Sequence, residues 1–153
     1  MNLGKWLWSA VVITISACGA PTGSGGLTTA DIKSGLPTGL LGGKSWTMAK
    51  AVVTRDTKLS VTLYADSTVA DCANGDPTNT VFWSQPEAAG ERELSIGSNS
   101  QTITFYDGDT NYIAIDGVIN VTTLNGDNIT IGLVAKANKD NTLNGTFSST
   151  ICP

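Results

Sequence analysis

The chain has 153 residues, a formal net charge of −4 and only 14% charged residues. That length fits one domain, and a scattered, mildly acidic charge argues against nucleic acid, whose phosphates need a basic patch. Histidine is absent, which removes Ser–His–Asp triads, Cys–His pairs and histidine-ligated zinc or iron; no cofactor is expected.

Residues 1–17 read as an export signal. Lys5 and the amino terminus make a short positive region, and residues 6–17, WLWSAVVITISA, are apolar and free of charge. This run is too short for a permanent spanning helix. It ends in Ile15-Ser16-Ala17-Cys18, which resembles the lipobox of bacterial lipoproteins: a branched apolar residue, two small residues and a cysteine. The resemblance implies a diacylglycerol on the Cys18 thiol, cleavage just before Cys18, and acylation of the new amino terminus. Small residues admit the cleaving enzyme to the backbone, and a thiol is the nucleophile that thioether formation needs. Two or three acyl chains anchor durably where one is marginal. The expected location is the bacterial cell envelope, at the outer membrane of a Gram-negative host. An ordinary signal peptide cut near Ala17 or Ala20 is the alternative.

Residues 19–43 contain eight glycines and two prolines and keep neither a helical nor a strand period. Residues 18–43 therefore read as a lipidated cysteine and a flexible tether, with a reach of about 25–30 Å. Ile32, Leu36, Leu40 and Leu41 offer a way for residues 31–41 to fold back instead.

From Lys44 to Pro153 a period of two takes over. Leu59, Val61, Leu63 and Ala65 alternate with polar positions, as do Ile103 and Phe105. Ile113, Ile115, Ile119 and Val121 share one parity across Gly117, a candidate bulge. Ile129, Ile131, Leu133, Ala135 and Ala137 follow, then Leu143, Phe147 and Ile151. Less regular segments at 46–54, 80–84 and 92–96 bring the total to about eight strands. Turn residues at 107–109, 125–128 and 138–141 tolerate left-handed backbone and predict hairpins. One apolar face per strand predicts an all-β, antiparallel β-sandwich over residues 44–153, with a small β-barrel as the alternative.

Three cysteines resolve into one plus two. With Cys18 taken by lipid, Cys72 and Cys152 are left as a pair, and a pair outside the cytosol is expected to oxidise. Two free thiols are the alternative.

Gly43-Lys44-Ser45-Trp46, Gly117-Val118-Ile119-Asn120-Val121 and Asn144-Gly145-Thr146-Phe147-Ser148 together resemble a broad group of bacterial lipoprotein β domains. The resemblance implies a secreted or membrane-tethered β-sandwich and no particular activity.

Candidate chemistry is sparse. Gly43-Lys44-Ser45 lacks the earlier glycine and the strand–helix setting of a phosphate loop. Asp107, Asp109 and Asn111 alternate as calcium ligands do, yet Tyr112 and Val118 stand where the helical calcium loop needs glycine and glutamate; a hairpin turn explains them, and no metal is expected. Glu87, Glu91, Glu93 and Asp116 could supply a carboxylate pair for glycoside hydrolysis only if two of them converge. Tyr64, Tyr106 and Tyr112 lie opposite the core parity, so adjacent strands would gather them into an aromatic platform for a glycan or a protein partner. The expected function is a non-catalytic binding or structural role on a membrane anchor. Inhibition of an envelope-directed hydrolase such as lysozyme or a protease, through a loop at 66–79 or 85–92, is one alternative; a small glycosidase is the other.

Overall fold

The computed structural model describes residues 26–97 and 100–153. The export signal and Cys18 lie outside the described residues. Eleven strands form among the described residues: β1 (Thr38–Leu41), β2 (Lys44–Thr47), β3 (Lys50–Arg55), β4 (Leu59–Tyr64), β5 (Thr80–Gln85), β6 (Gly90–Glu93), β7 (Ile103–Tyr106), β8 (Asn111–Ala114), β9 (Asp116–Asn125), β10 (Asn128–Asn138) and β11 (Asn141–Cys152). A 3-10 turn at Thr29–Asp31 precedes them.

The strands make one continuous sheet in the order β6-β9-β10-β11-β3-β4-β5-β7-β8, with β1 bonded to β11 and β2 to β1. All neighbours are antiparallel except β11 and β3, which meet in parallel through Ile151↔Val53 and Cys152↔Thr54. The sheet is therefore mixed. It is strongly curled into a half-barrel. The all-β class agrees with the alternation in the sequence; the count and connectivity differ from eight antiparallel strands. Segment 46–54 divides into β2 and β3, segment 113–121 divides into β8 and β9, and β1 is additional.

The curl brings the inner faces of the two halves together. Leu59, Val61 and Leu63 of β4, Val81 and Trp83 of β5, and Ile103 and Phe105 of β7 point inward from one half. Ile119 and Val121 of β9, Ile129, Ile131 and Leu133 of β10, and Leu143 and Phe147 of β11 point inward from the other. Trp83 and Phe147 meet edge to face, with ring centroids 6.5 Å apart. Burying each such side chain contributes about 1.5–3 kcal/mol relative to exposure. Alternation alone explains which residues these are, because successive side chains of a strand face opposite ways.

Two local expectations change. The irregularity in β9 falls where the register shifts between Thr130 and Ile131 of β10, leaving Thr122 without an opposite residue; Gly117 is in register with Ala135. The tether is also shorter than composition predicts. Residues 27–41 are bound to the domain: β1 pairs with Thr142–Asn144 of β11, and a strap formed by residues 27–37 crosses the outer face of β9–β11. Asn144 fastens the strap at both ends of its amide, accepting from Lys33 N at 2.8 Å and donating to Asp31 O at 2.8 Å. Thr146 N donates to Gly35 O at 2.7 Å, and Leu27 N donates to Asp116 Oδ1 at 3.2 Å. Gly132, in the outer row, leaves room for Ile32, and Gly145 leaves room for Pro37, which lies beside it just before β1.

Candidate functional site

The three tyrosines do not share a face. Tyr64 and Tyr106 both lie opposite Thr80, on the outer side of the sheet. Tyr64 is only 5% exposed, because the 65–79 loop folds over it and encloses Tyr64 with Val52 and Val69 in a small second core. Its hydroxyl accepts from Gly75 N at 3.2 Å. Tyr112 lies opposite Phe105, on the inner side, and packs against the main core. The aromatic platform expected from parity is thereby replaced by one half-exposed residue, Tyr106. The cause is a corner: the chain turns at Ile115 between β8 and β9, so the parity of β9 does not carry back into β8.

The other sequence candidates have structural duties. Asp107 braces its own hairpin, accepting from Asp109 N at 3.0 Å and Thr110 N at 2.8 Å through Oδ1, and from the Tyr112 hydroxyl through Oδ2. The Thr110 and Asp109 N–H groups hold its carboxyl below the usual carboxylate range. Among the described residues no three His, Cys, Asp or Glu side chains gather as a metal site. Glu87 is clasped by Arg55, which also reaches Asp127. Asp116 accepts from the strap. Glu91 and Glu93 stand exposed on edge strand β6, and only Glu93 lines a recess, of about 370 Å³, with Lys58 and Arg92. The 66–79 loop is tied down rather than protruding, through Cys72, Asp71 and the buried Val69.

Cys72 and Cys152 form a disulfide, with Cα atoms 5.5 Å apart. It closes one end of a cleft of about 850 Å³. The cleft lies just before the two residue pairs that bond β11 to β3, where Ser149 Oγ reaches Ala51 O at 3.5 Å but no ladder forms. One wall is the outer row of the β10–β11 hairpin: Asn128, Thr130, Ser148 and Thr150. Thr130 and Ser148 share a hydrogen bond at 2.9 Å. The other wall is the start of β3, with Met48 and the Lys50–Asp71 ion pair; Leu36 of the strap forms the rim. Hydroxyls and amides line it with a few apolar groups, and its single carboxylate is already paired. Such a surface can hold a polar chain by hydrogen bonds. Sequence alone concealed the cleft, because its polar residues look like any solvated strand face and only the placement of β3 makes them a wall.

The loop beside the cleft carries three carboxylates whose ionised form the fold favours. Asp66 and Asp76 are held below the ordinary value of 3.8 chiefly by the N–H groups of Thr68 and Thr78, and Asp71 by its hydrogen bond to Lys50. A carboxylate with a lowered folded pKa stabilises the fold above its unfolded value and loses that contribution as pH falls through the folded value. Amides of residues 66–78 should therefore lose protection, relative to the intrinsic exchange rate at each pH, below about pH 4, before the β core does. Exchange followed by NMR between pH 6 and 2 measures this; simultaneous loosening of loop and core would reject it.

Among the described residues no helix is long and apolar enough to cross a membrane. Comparison of the chain with protein-family models, with curated proteins and with solved structures found no match.

Proposed function

We propose that the chain is a lipoprotein of the bacterial cell envelope, acylated at Cys18, whose β domain binds a ligand without catalysing a reaction. One observation carries the anchoring. Cys72 and Cys152 are joined to each other, so the third cysteine is the one that closes the lipobox-like run Ile15-Ser16-Ala17-Cys18. An oxidised pair also belongs to an extracytoplasmic compartment. The curled sheet reads as a sandwich whose two leaves stay joined through β11.

The cleft supports the binding half of the reading. Its hydroxyl and amide wall suits a polar polymer, a glycan strand or an extended peptide segment, laid along β11. Anchorage raises the local concentration of a weak binder near the envelope, so modest affinity suffices.

Mass analysis of the mature protein from a bacterial host tests the anchor. The expected product begins at Cys18, carries acyl chains there and has no free thiol. An intact leader or an unmodified Cys18 rejects the proposal. Titration with soluble glycan fragments and peptides tests the cleft: NMR shifts should concentrate at Thr130, Ser148 and Thr150 and vanish in Ser148→Leu. Shifts confined to other surfaces reject the cleft as the site.

A further inference from the structure

Five large apolar side chains are exposed among the described residues, and three of them gather at one end: Ile96 (77%), Ile113 (55%) and Ile115 (46%). Their closeness follows from the bonding. Ile103 of β7 pairs with Ala114 of β8. Leu94, two residues before Ile96, donates its N–H to Gly117 O at 2.9 Å, and Ser95 N donates to Gln101 O. Ile115 sits at the corner between these partners. A fourth exposed residue, Phe82, lies in the same outer row as Ile113, with Thr104 between them.

Leu27 is fastened at this same end. Leu27 N is bonded to Asp116 Oδ1, one residue from Ile115. Cys18 lies nine positions before Leu27, so covalent geometry limits their separation to about 30 Å. The strap removes the longer reach that a tether to residue 43 would allow. Scattered exposed apolar residues are ordinary, but three isoleucines beside the point where a lipid-bearing segment joins the domain are placed to meet lipid.

We propose that the end of the domain carrying Ile96, Ile113 and Ile115 rests on the surface of the phospholipid bilayer, fixing the orientation of the domain. The inference rests on acylation of Cys18. The occupant is the bilayer itself: lone apolar side chains at a membrane interface gain from burial at the headgroup boundary, and the short connection keeps them within reach. The cleft between β3 and β11 is bounded by Cys152 and Asn128. Asn128 and Asn125 face each other across the β9–β10 turn, and Asn125 lies nine residues along β9 from Asp116, about 30 Å away. Contact at the isoleucine end therefore leaves the cleft open to the periphery.

The test uses the mature acylated protein in phosphatidylcholine vesicles, with plain or brominated acyl chains. Tryptophan is introduced in turn as Ile113→Trp, Ile115→Trp and, at the far end of β9, Asn125→Trp. Trp46 and Trp83 are buried and supply a constant background. The first two proteins should lose emission in brominated relative to plain lipid, and the Asn125→Trp protein should not. Equal quenching at all three sites, or none at residues 113 and 115 in protein that co-sediments with the vesicles, overturns the orientation. Protein that does not co-sediment overturns the acyl anchor, and the orientation with it.

Discussion

Removing the Cys72–Cys152 bridge should cost the domain up to about 4.5 kcal/mol, the chain-entropy value for a loop closed across about 80 residues. The two cysteines are 80 residues apart in sequence. The place of the bridge makes the loss large in practice. β11 joins the second half of the sheet through only two residue pairs with β3, and Cys152 is one of the four residues in them. The bridge also fastens the 65–79 loop, whose Val69 packs with Tyr64 and Val52. A stability of about 5–15 kcal/mol is usual for a domain, so the loss is a large share of the whole. Urea unfolding of the Cys72→Ser/Cys152→Ser protein should show a midpoint well below that of the parent. A loss under about 1 kcal/mol would mean that packing of Trp83 on Phe147 and its neighbours alone holds the halves together.

Gly117→Ala should be comparably damaging, by roughly 2–6 kcal/mol, from backbone strain and overpacking together. Gly117 has φ +141°, and an added Cβ would lie 2.1 Å from Val134 O and 2.8 Å from Ala135 Cα. Those atoms belong to β10, bonded on both sides, and Gly117 O is itself held by Leu94 N. Nothing nearby can give way. Gly145→Ala is the informative contrast. Its added Cβ would meet Pro37 Cα at 2.5 Å and Gly35 O at 2.8 Å, both in the strap. A strap can lift where a central strand cannot. Gly145 has φ +157°, so the expected result is a loss of about 1–3 kcal/mol from backbone strain and surrendered strap hydrogen bonds, with faster exchange at Lys33 and Thr146 and little change in the core. Urea unfolding with amide exchange separates the two. Equal losses in both proteins would show that the strap is part of the cooperative core.

Much of the fold is legible in the order of residues. Leu59, Val61 and Leu63, Ile103 and Phe105, Ile129, Ile131 and Leu133, and Phe147 and Ile151 all point inward as their alternation predicts, because a strand's side chains must alternate and burial selects the apolar set. The turns at 107–109, 125–128 and 138–141 join β7 to β8, β9 to β10 and β10 to β11, since Asn, Asp and Gly accept the backbone angles a hairpin requires. The partnership of Cys72 with Cys152 is legible too, as arithmetic: one cysteine of three ends the lipobox-like run.

The rest was decided in three dimensions. Alternation assigns faces within one strand and says nothing across a corner, so Tyr112 faces inward while Ile113 and Ile115 face water. Glycine and proline between residues 26 and 43 read as looseness, yet Gly132 and Gly145, distant in sequence, leave the space that Ile32 and Pro37 fill. The cleft comes from the placement of β3 beside β11, which no local pattern encodes. A residue's own preferences set strand, turn and face, whereas which strands meet, where they part and what lies over them depends on contacts between segments far apart in the chain.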